Sequence, residues 1–242
     1  MREVTVVAHR GASGTFPENT APAFQEAIRL GVEMIELDVH LTVDGKMVVI
    51  HDGTVDRTSD GSGRVARMSL EEIKELDAGG WFSEKFAGER FLTLEEALDL
   101  MPAEMRLNVH VKAYEEDRQK VIPSTVDELV RRNLLATAFV ASDQESLAMA
   151  HRVEARLEIC NLSTSPPESY VRRSQAIDCR ILQPGNGMTT PELVGKAHGL
   201  GMEVNPFYAD DEEEMRRLID CGVDGILTNY PERLQELLRG GG

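Results

Sequence analysis

The chain alternates short apolar runs with amphipathic segments over nearly its whole length, and this alternation constrains the fold more than any other feature. Eight runs predict β-strands at residues 4–8, 34–39, 106–112, 138–142, 156–162, 177–183, 202–207 and 225–229. Helical periodicity marks segments between them, at residues 21–30, 126–133, 192–200 and 212–221. Such alternation predicts parallel βα units, and eight units in 242 residues match an α/β TIM (β/α)8 barrel.

The structural alternative is an open, doubly wound α/β sheet. A sheet of that kind normally carries a glycine-rich phosphate-binding loop after its first strand. The corresponding segment here, HRGASGTF at residues 9–16, matches the G-x-G-x-x-G pattern poorly. We therefore predict the barrel, as one domain over residues 1–242.

Two segments depart from the alternation. Residues 40–52 form two extended runs around Asp44-Gly45, which predicts a β-hairpin with a two-residue type I′ turn. That register places His51 directly opposite Asp38, with a Cβ separation of ~5 Å. Residues 54–89 contain two helix-like pieces and turn residues but no barrel strand. They predict a small insertion subdomain over the barrel mouth.

Polar side chains alternate with apolar ones along two predicted strands. In the second strand Ile35 and Leu37 must face the helices, so Glu36 and Asp38 point into the barrel. The strand at residues 106–112 repeats this pattern and directs three polar residues inward: Asn108, His110 and Lys112. Two inward carboxylates stay ionised at low cost only beside a cation, so we expect a hard divalent metal ion with oxygen ligands.

Two histidines are expected beside these carboxylates. His9 ends the first strand, and the hairpin brings His51 to Asp38. Paired imidazoles near a metal suit general acid and base catalysis at neutral pH, while Arg10 and Lys112 supply positive charge for a phosphate. The spacing thus predicts metal-assisted cleavage of an anionic ester. The alternatives are an ordinary core role for His9 and simple charge neutralisation by Lys112.

Four blocks of the sequence resemble the glycerophosphodiester phosphodiesterase family. They are HRGASGTFPENTAPAF, ELDVHLTVDGKMVVIHD, LNVHVK and GVDGILTNYPERL, and the resemblance extends from about residue 4 to about residue 238. The family consists of TIM-barrel metallophosphodiesterases that hydrolyse glycerophosphodiesters to an alcohol and glycerol 3-phosphate. The resemblance therefore implies this fold and this reaction, and it makes the insertion after the hairpin a family trait that shapes the substrate pocket.

The resemblance also implies roles for individual residues. His9 and His51 correspond to the catalytic acid and base, without indicating which is which, and Arg10 corresponds to a phosphate contact. Glu36 and Asp38 correspond to ligands of one divalent metal ion, calcium or magnesium.

One departure from the family pattern concerns the metal. The family typically has E-x-K where this chain has His110-Val111-Lys112, so an imidazole replaces the third carboxylate. If His110 is a ligand, the softer donor set shifts the preference toward manganese or zinc. If it is not, water or another carboxylate, with Glu158 and Glu203 as candidates, completes the site.

Other positions carry smaller expectations. The segment VNPFYADD replaces a family stretch that usually contains Trp-Thr. Phe207 takes the apolar position in this segment and is expected to contact the glycerol or the leaving group. Asn229 stands where aspartate is common, which we expect to be a minor change. Asn19 or Thr20 is expected to cap the first helix, and Asp52 either orients His51 or caps the segment that follows.

Composition limits the partners. With 26 Lys and Arg against 42 Asp and Glu, the net charge of −16 argues against nucleic acid and against an anionic membrane surface. No apolar run approaches the ~18 residues that span a bilayer, no signal peptide is recognisable, and the three cysteines form no C-x-x-C pair. We therefore expect a cytoplasmic protein that binds a small anionic phosphodiester, and the oligomeric state stays open.

Three alternative functions remain at this point. One is a lysophospholipase D-like phosphodiesterase, which requires an apolar channel to the site. Another is a non-catalytic barrel that binds phosphate ligands and lost its activity through the change to His110. The third is an open α/β protein that binds sugar phosphates without a metal.

Overall fold

The computed structural model describes residues 4–114, 117–163 and 167–240, and each of the eight predicted barrel strands is formed. The strands, including one short hairpin strand, are β1 Thr5–His9, β2 Met34–Leu41, β3 Met47–Val49, β4 Arg106–Val111, β5 Ala138–Ser142, β6 Glu158–Ser163, β7 Ile181–Pro184, β8 Glu203–Val204 and β9 Gly225–Thr228. The helices are α1 Ala21–Leu30, α2 Leu70–Glu75, α3 Leu94–Leu100, α4 Arg118–Arg131, α5 Gln144–Val153, α6 Pro167–Gln175, α7 Pro191–His198, α8 Glu212–Asp220 and α9 Pro231–Gly240.

The sheet is a nearly closed parallel barrel, which confirms the predicted fold class. Its strand order is β8-β7-β6-β5-β4-β2-β1-β9, and only β3 is antiparallel, paired with β2. The two ends of the sheet meet through backbone hydrogen bonds, such as that from Asp224 N to Val204 O at 3.0 Å. Helix α4 begins before the predicted segment at 126–133, because Val121 and Ile122 extend its buried face across Pro123.

Side-chain alternation divides the strands into an outer and an inner face. The outward residues Ile35, Leu37 and Val39 are fully buried under the helices. The inward residues form a separate apolar cluster that fills the barrel: Val7, Met34, Phe139, Ala141, Cys160, Ile181 and Leu227. Two residues further along their strands, His9 and Glu36 lie above this cluster, so polar groups gather at the carboxyl-terminal mouth.

The hairpin differs from the prediction by one residue. Its register pairs Val39 with Val49 and Leu41 with Met47. Thr42 N donates to Lys46 O at 2.9 Å, so the loop between them contains three residues, 43–45, not two. The amide of Ile50 donates to Asp38 O at 3.1 Å, and Ile50 thus takes the place predicted for His51. In the longer loop the carboxylate of Asp44 accepts from the Thr42 hydroxyl at 2.6 Å and from Leu70 N, in the following segment, at 3.1 Å.

Residues 54–89 contain α2 and two 3₁₀ turns, Val65–Arg67 and Glu84–Phe86. Helix α2 begins with a capping box formed by Ser69 and Glu72. Apolar side chains of this segment form a small core with residues of and next to β3: Val48, Ile50, Val55, Val65, Ile73, Ala78 and Phe91. This core holds the segment beside the barrel mouth, next to His51. Among the residues described, no helix is long and apolar enough to cross a membrane.

Candidate active site and metal centre

Two acidic side chains and one imidazole converge at the mouth of the barrel. The parallel register places Asp38 of β2 beside His110 of β4, with Glu36 two residues earlier on β2. His110 Nδ1 lies 3.0 Å from Asp38 Oδ1 and 3.8 Å from Glu36 Oε1. One ligand atom from each of the three residues lies within 4.8 Å of the others. The structure thus brings together the three residues predicted as metal ligands.

Hydrogen bonds orient both carboxylates of this group. Glu36 Oε2 accepts from the backbone amide of Arg10 at 3.0 Å, and Asp38 Oδ2 accepts from the Asn19 side-chain amide at 3.0 Å. One oxygen of each carboxylate is thereby fixed, and the other one is directed toward His110. Two carboxylate oxygens and one imidazole nitrogen form a donor set that suits a divalent metal ion. The residues present therefore fit such an ion.

The charges around these carboxylates are unequal. Burial and the charge of Asp38 raise the pKa of Glu36 to about 8. Burial acts in the same direction on Asp38, but Lys112, His110 and Arg10 outweigh it and hold the pKa of Asp38 well below its usual range. Lys112 Nζ lies 3.1 Å from Asp38 Oδ1, and Arg10 Nε lies 3.4 Å from Asp38 Oδ2. The protein thus neutralises Asp38 itself, whereas ionised Glu36 requires a further cation.

His9 ends β1 and is only 6% exposed. Its Nδ1 lies 2.7 Å from Asn229 Oδ1, and the ring of Tyr208 stacks on it at 5.0 Å with an interplanar angle of 18°. Burial and the nearby charge of Arg10 lower the pKa of His9 to about 3. The imidazole is therefore uncharged near neutral pH. Asn229 contacts its Nδ1 edge, and Tyr208 covers one face of the ring.

His51 follows the hairpin, and its side chain forms a hydrogen bond with that of the next residue, Asp52. Its Nδ1 lies 2.6 Å from Asp52 Oδ1, which is the orienting contact that was one of the two alternatives for Asp52. Burial lowers the pKa of His51, against the opposing charges of Asp38 and Asp52. The Arg57 guanidinium donates to Asp52 at 2.7 Å and to Glu18 at 2.8 Å, so the orienting carboxylate is itself held in place.

The turn after β1 brings the Arg10 side chain to the site. Arg10 has a left-handed backbone conformation with φ of 58°, and its Nη1 donates to Glu18 at 2.9 Å. The next residue, Gly11, has φ of +81°, and a Cβ there would lie 2.6 Å from the backbone of Ala23. This close approach to α1 explains the glycine. Arg10 and Lys112, the predicted anion contacts, both lie against Asp38.

The structure decides between alternatives for several neighbouring residues. Thr20 is the N-cap residue of α1, as one alternative predicted, but its hydroxyl donates to Pro17 O at 2.6 Å and accepts no helix amide. The Asn19 side chain forms a hydrogen bond with Asp38 and does not cap α1. Glu158 and Glu203 open their strands and therefore lie at the amino-terminal end of the barrel, remote from the mouth. Glu203 pairs there with Arg106 at 3.4 Å, so neither carboxylate completes the metal site.

Three residues after β8 and β9 make contacts that the sequence did not indicate. Phe207 packs on the apolar cluster inside the barrel. The adjacent Tyr208 is 47% exposed and stacks on His9, and no sequence pattern identified it. Asn229, where we expected only a minor change from aspartate, contacts His9 directly. Its position immediately after β9 was the available signal, because reactive groups lie at strand ends.

A parallel barrel with ionisable side chains gathered at its carboxyl-terminal mouth is the architecture of TIM-barrel enzymes. Comparison with known proteins identifies the family. The profile of the glycerophosphoryl diester phosphodiesterase family matches residues 9–233. The chain belongs to this family and is an enzyme, a glycerophosphodiester phosphodiesterase.

Individual relatives agree with this assignment. The chain is 39% identical over 242 residues to a glycerophosphodiester phosphodiesterase of Caldanaerobacter subterraneus subsp. tengcongensis, covering 98% of each chain. It is 31% identical to one from Bacillus subtilis, covering 98% of this chain and 87% of that one. Among solved structures, an Oleispira antarctica phosphodiesterase in complex with the product sn-glycerol-3-phosphate superposes with a TM-score of 0.91 at 29% identity, covering 97% and 96% of the two chains.

Proposed function

We propose that the enzyme hydrolyses glycerophosphodiesters to an alcohol and glycerol 3-phosphate with the aid of one divalent metal ion. Glu36, Asp38 and His110 hold the ion, and His9 and His51 transfer the protons. The observation that carries the proposal is the convergence of the three ligand atoms within 4.8 Å of one another. The product named for the Oleispira antarctica structure agrees with the proposed substrate class.

A bound metal ion supplies Lewis-acid stabilisation of the phosphate and of an attacking hydroxyl. Arg10 and Lys112 add positive charge beside it and help to offset the net charge of −16 that the substrate meets elsewhere. His9 is uncharged near neutral pH and can therefore accept a proton, although the burial that lowers its pKa also makes it a weak base. We assign proton donation to His51, because the Asp52 carboxylate on Nδ1 stabilises its charged form against the burial that lowers its pKa.

The insertion provides one wall of a cavity beside His51. The cavity has a volume of about 530 Å³ and is lined by His40, Gly53, Thr54, Arg64, Ala66, Tyr114 and Asp117. Because Gly53, which lines this cavity, is two residues from His51, we place the leaving alcohol in the cavity. We place the glycerol moiety near Phe207, as the sequence predicts. We also interpret residues 1–242 as a single domain in which residues 54–89 are the insertion.

Activity of metal-stripped protein tests the proposed function. Protein treated with EDTA is incubated with glycerophosphocholine plus calcium, magnesium, manganese or zinc, and released glycerol 3-phosphate is measured. We expect hydrolysis only with added metal. Substrate binding without turnover under every condition would contradict the proposal and favour the non-catalytic barrel, while faster hydrolysis of lysophosphatidylcholine would favour the lysophospholipase D-like alternative.

His110→Glu tests the role of this imidazole in metal selection. The change restores a third carboxylate, so we expect calcium- or magnesium-supported activity to increase and manganese- or zinc-supported activity to decrease, each by about 10-fold. Rates across the four metals measure the preference, and His110→Gln, which removes the imidazole donor and adds no charge, is the control. An unchanged metal preference in both variants would show that His110 is not a ligand.

A further inference from the structure

The side chain of Asn229 connects His9 to a carboxylate outside the proposed catalytic group. Asn229 Oδ1 lies 2.7 Å from His9 Nδ1, while its Nδ2 donates to Asp210 Oδ2 at 2.7 Å. The backbone amide of Asn229 donates to the other oxygen of Asp210 at 2.9 Å. Asp210 therefore holds Asn229 at two points, through its backbone and its side chain.

This arrangement determines which way the Asn229 amide faces. An ionised carboxylate only accepts hydrogen bonds, so the atom next to Asp210 must be the NH2 group. The carbonyl oxygen of Asn229 consequently faces His9 and acts there as an acceptor. Ser13 Oγ lies 2.7 Å from the same oxygen and 2.7 Å from His9 O, so its single hydrogen can go to either acceptor. Asn229 Oδ1 has room for this hydrogen beside that of His9.

The orientation of Asn229 in turn determines the tautomer of His9. An acceptor 2.7 Å from Nδ1 requires a hydrogen on that nitrogen, because the other tautomer would bring two lone pairs together. No hydrogen bond to Nε2 is found within residues 4–114, 117–163 and 167–240. Nε2 is thus the ring atom with a free lone pair, while Tyr208 stacks on the ring.

We propose that Asn229 is a positioning residue, fixed by Asp210, that holds His9 in the Nδ1–H tautomer and so makes Nε2 the atom that exchanges a proton with the substrate. The kinetic part rests on the proposed catalytic role of His9, whereas the tautomer does not.

Nitrogen chemical shifts of ¹⁵N-histidine-labelled, metal-free protein measure the tautomer without any substrate. The His9 signals are assigned by their loss in His9→Gln. We expect the wild type to show His9 as Nδ1–H and Asn229→Ala to shift it measurably toward Nε2–H. An Nε2–H form in the wild type, or an identical tautomer in Asn229→Ala, would overturn the proposal.

Asn161→Ala is the matched control for the loss of a buried amide. Asn161 is 4% exposed and donates to Ser174 Oγ at 2.8 Å, on the side of the sheet that faces α6. We expect this variant to lose stability but to keep the wild-type tautomer of His9. The comparison separates positioning from a general loss of packing.

Steady-state rates of metal-loaded protein test the consequence for catalysis. We expect Asn229→Ala to lower kcat on the order of 10²-fold with little change in KM, because proton transfer through His9 is impaired. Asn229→Asp should also lower kcat, since it sets a second carboxylate against Asp210. Adding Asp210→Asn should restore kcat to within about 3-fold of the wild type, because the amide and the carboxylate have then exchanged places.

Each outcome has a distinct meaning. Wild-type kcat in Asn229→Ala, or no recovery in the folded double variant, would overturn the positioning role while the phosphodiesterase function stands. If wild-type protein hydrolyses no glycerophosphodiester, the proposed function fails instead, and the chemical shifts still decide the tautomer.

Discussion

Replacing His9 or His51 by alanine is expected to reduce the turnover of glycerophosphocholine by about 10²–10⁴-fold, because each variant loses one of the two proton-transfer steps. The barrel should remain folded, since both imidazoles lie at the mouth, above the apolar cluster that fills the barrel. Release of glycerol 3-phosphate measures turnover, and thermal unfolding measures the fold.

His151→Ala is a suitable control for this pair. His151 lies on α5 and bonds to Leu157 O at 2.9 Å, so its removal deletes a partly buried imidazole away from the mouth. We expect this variant to retain the wild-type rate. Rates near the wild type in both His9→Ala and His51→Ala would show that these residues are not the acid and the base.

A substrate with a better leaving group distinguishes the two histidines. A p-nitrophenyl phosphodiester of glycerol releases a stable anion and needs little protonation of the leaving oxygen. The defect of His51→Ala should therefore shrink by at least about 10-fold on this substrate, while the defect of His9→Ala should persist. The opposite pattern would exchange the roles that we assign to the two residues.

The parts of the site that follow from local rules were predictable from the sequence. Alternation along a strand has a period of two, so apolar neighbours of Glu36 and Asp38 sufficed to direct both acids inward. The same rule applied to His110, and the parallel register then brought the three together. The eight barrel strands were predictable for the same reason, because each repeats the apolar pattern of a strand packed between helices and a filled barrel.

The parts that depend on tertiary contacts were not predictable. The hairpin register differs from the prediction by one residue, and in the longer loop Asp44 accepts from the Thr42 hydroxyl and from the amide of Leu70. No local turn preference includes the contact with Leu70. The position of Asn19 before α1 predicts a helix cap. In the folded chain its side-chain amide instead donates to Asp38 at 3.0 Å, a contact between residues far apart in the sequence. Tyr208 reaches His9 only through the path of the loop after β8.

Glu36→Gln and Asp38→Asn are expected to abolish metal binding, lowering the metal content from about one ion per chain to none and turnover by about 10³-fold or more. Each variant removes one carboxylate oxygen from the convergent ligand set and preserves the shape of the side chain. Elemental analysis after dialysis measures the metal. Retention of a full equivalent of metal in either variant would exclude that residue as a ligand.

The same two variants should differ in stability when the protein is free of metal. Asp38→Asn removes the carboxylate that faces Lys112 and one of the two that pair with Arg10, so we expect a loss of about 3 kcal/mol in the free energy of unfolding. Glu36→Gln removes a buried charge that lacks its own cation, and the carbonyl oxygen of the new glutamine side chain can still accept from the Arg10 amide. This variant should therefore be more stable than the metal-free wild type at pH 8.

The gain in the free energy of unfolding of Glu36→Gln over the metal-free wild type should increase with pH. Burial and Asp38 raise the pKa of Glu36 from 4.5 to about 8, so between these values the folded state retains a proton that the unfolded state has lost. The contribution of Glu36 to the free energy of unfolding of the metal-free wild type therefore falls as pH rises through this interval. His9 and His51, whose pKa values are lowered, add stability to both proteins as pH rises toward 6.5, so the informative quantity is the difference between the two proteins. Urea unfolding at pH 5 and pH 8 should show that Glu36→Gln gains stability relative to the wild type as pH rises, and addition of metal should stabilise the wild type alone. An equal difference between the two proteins at both pH values would show that Glu36 is not the carboxylate that lacks a cation.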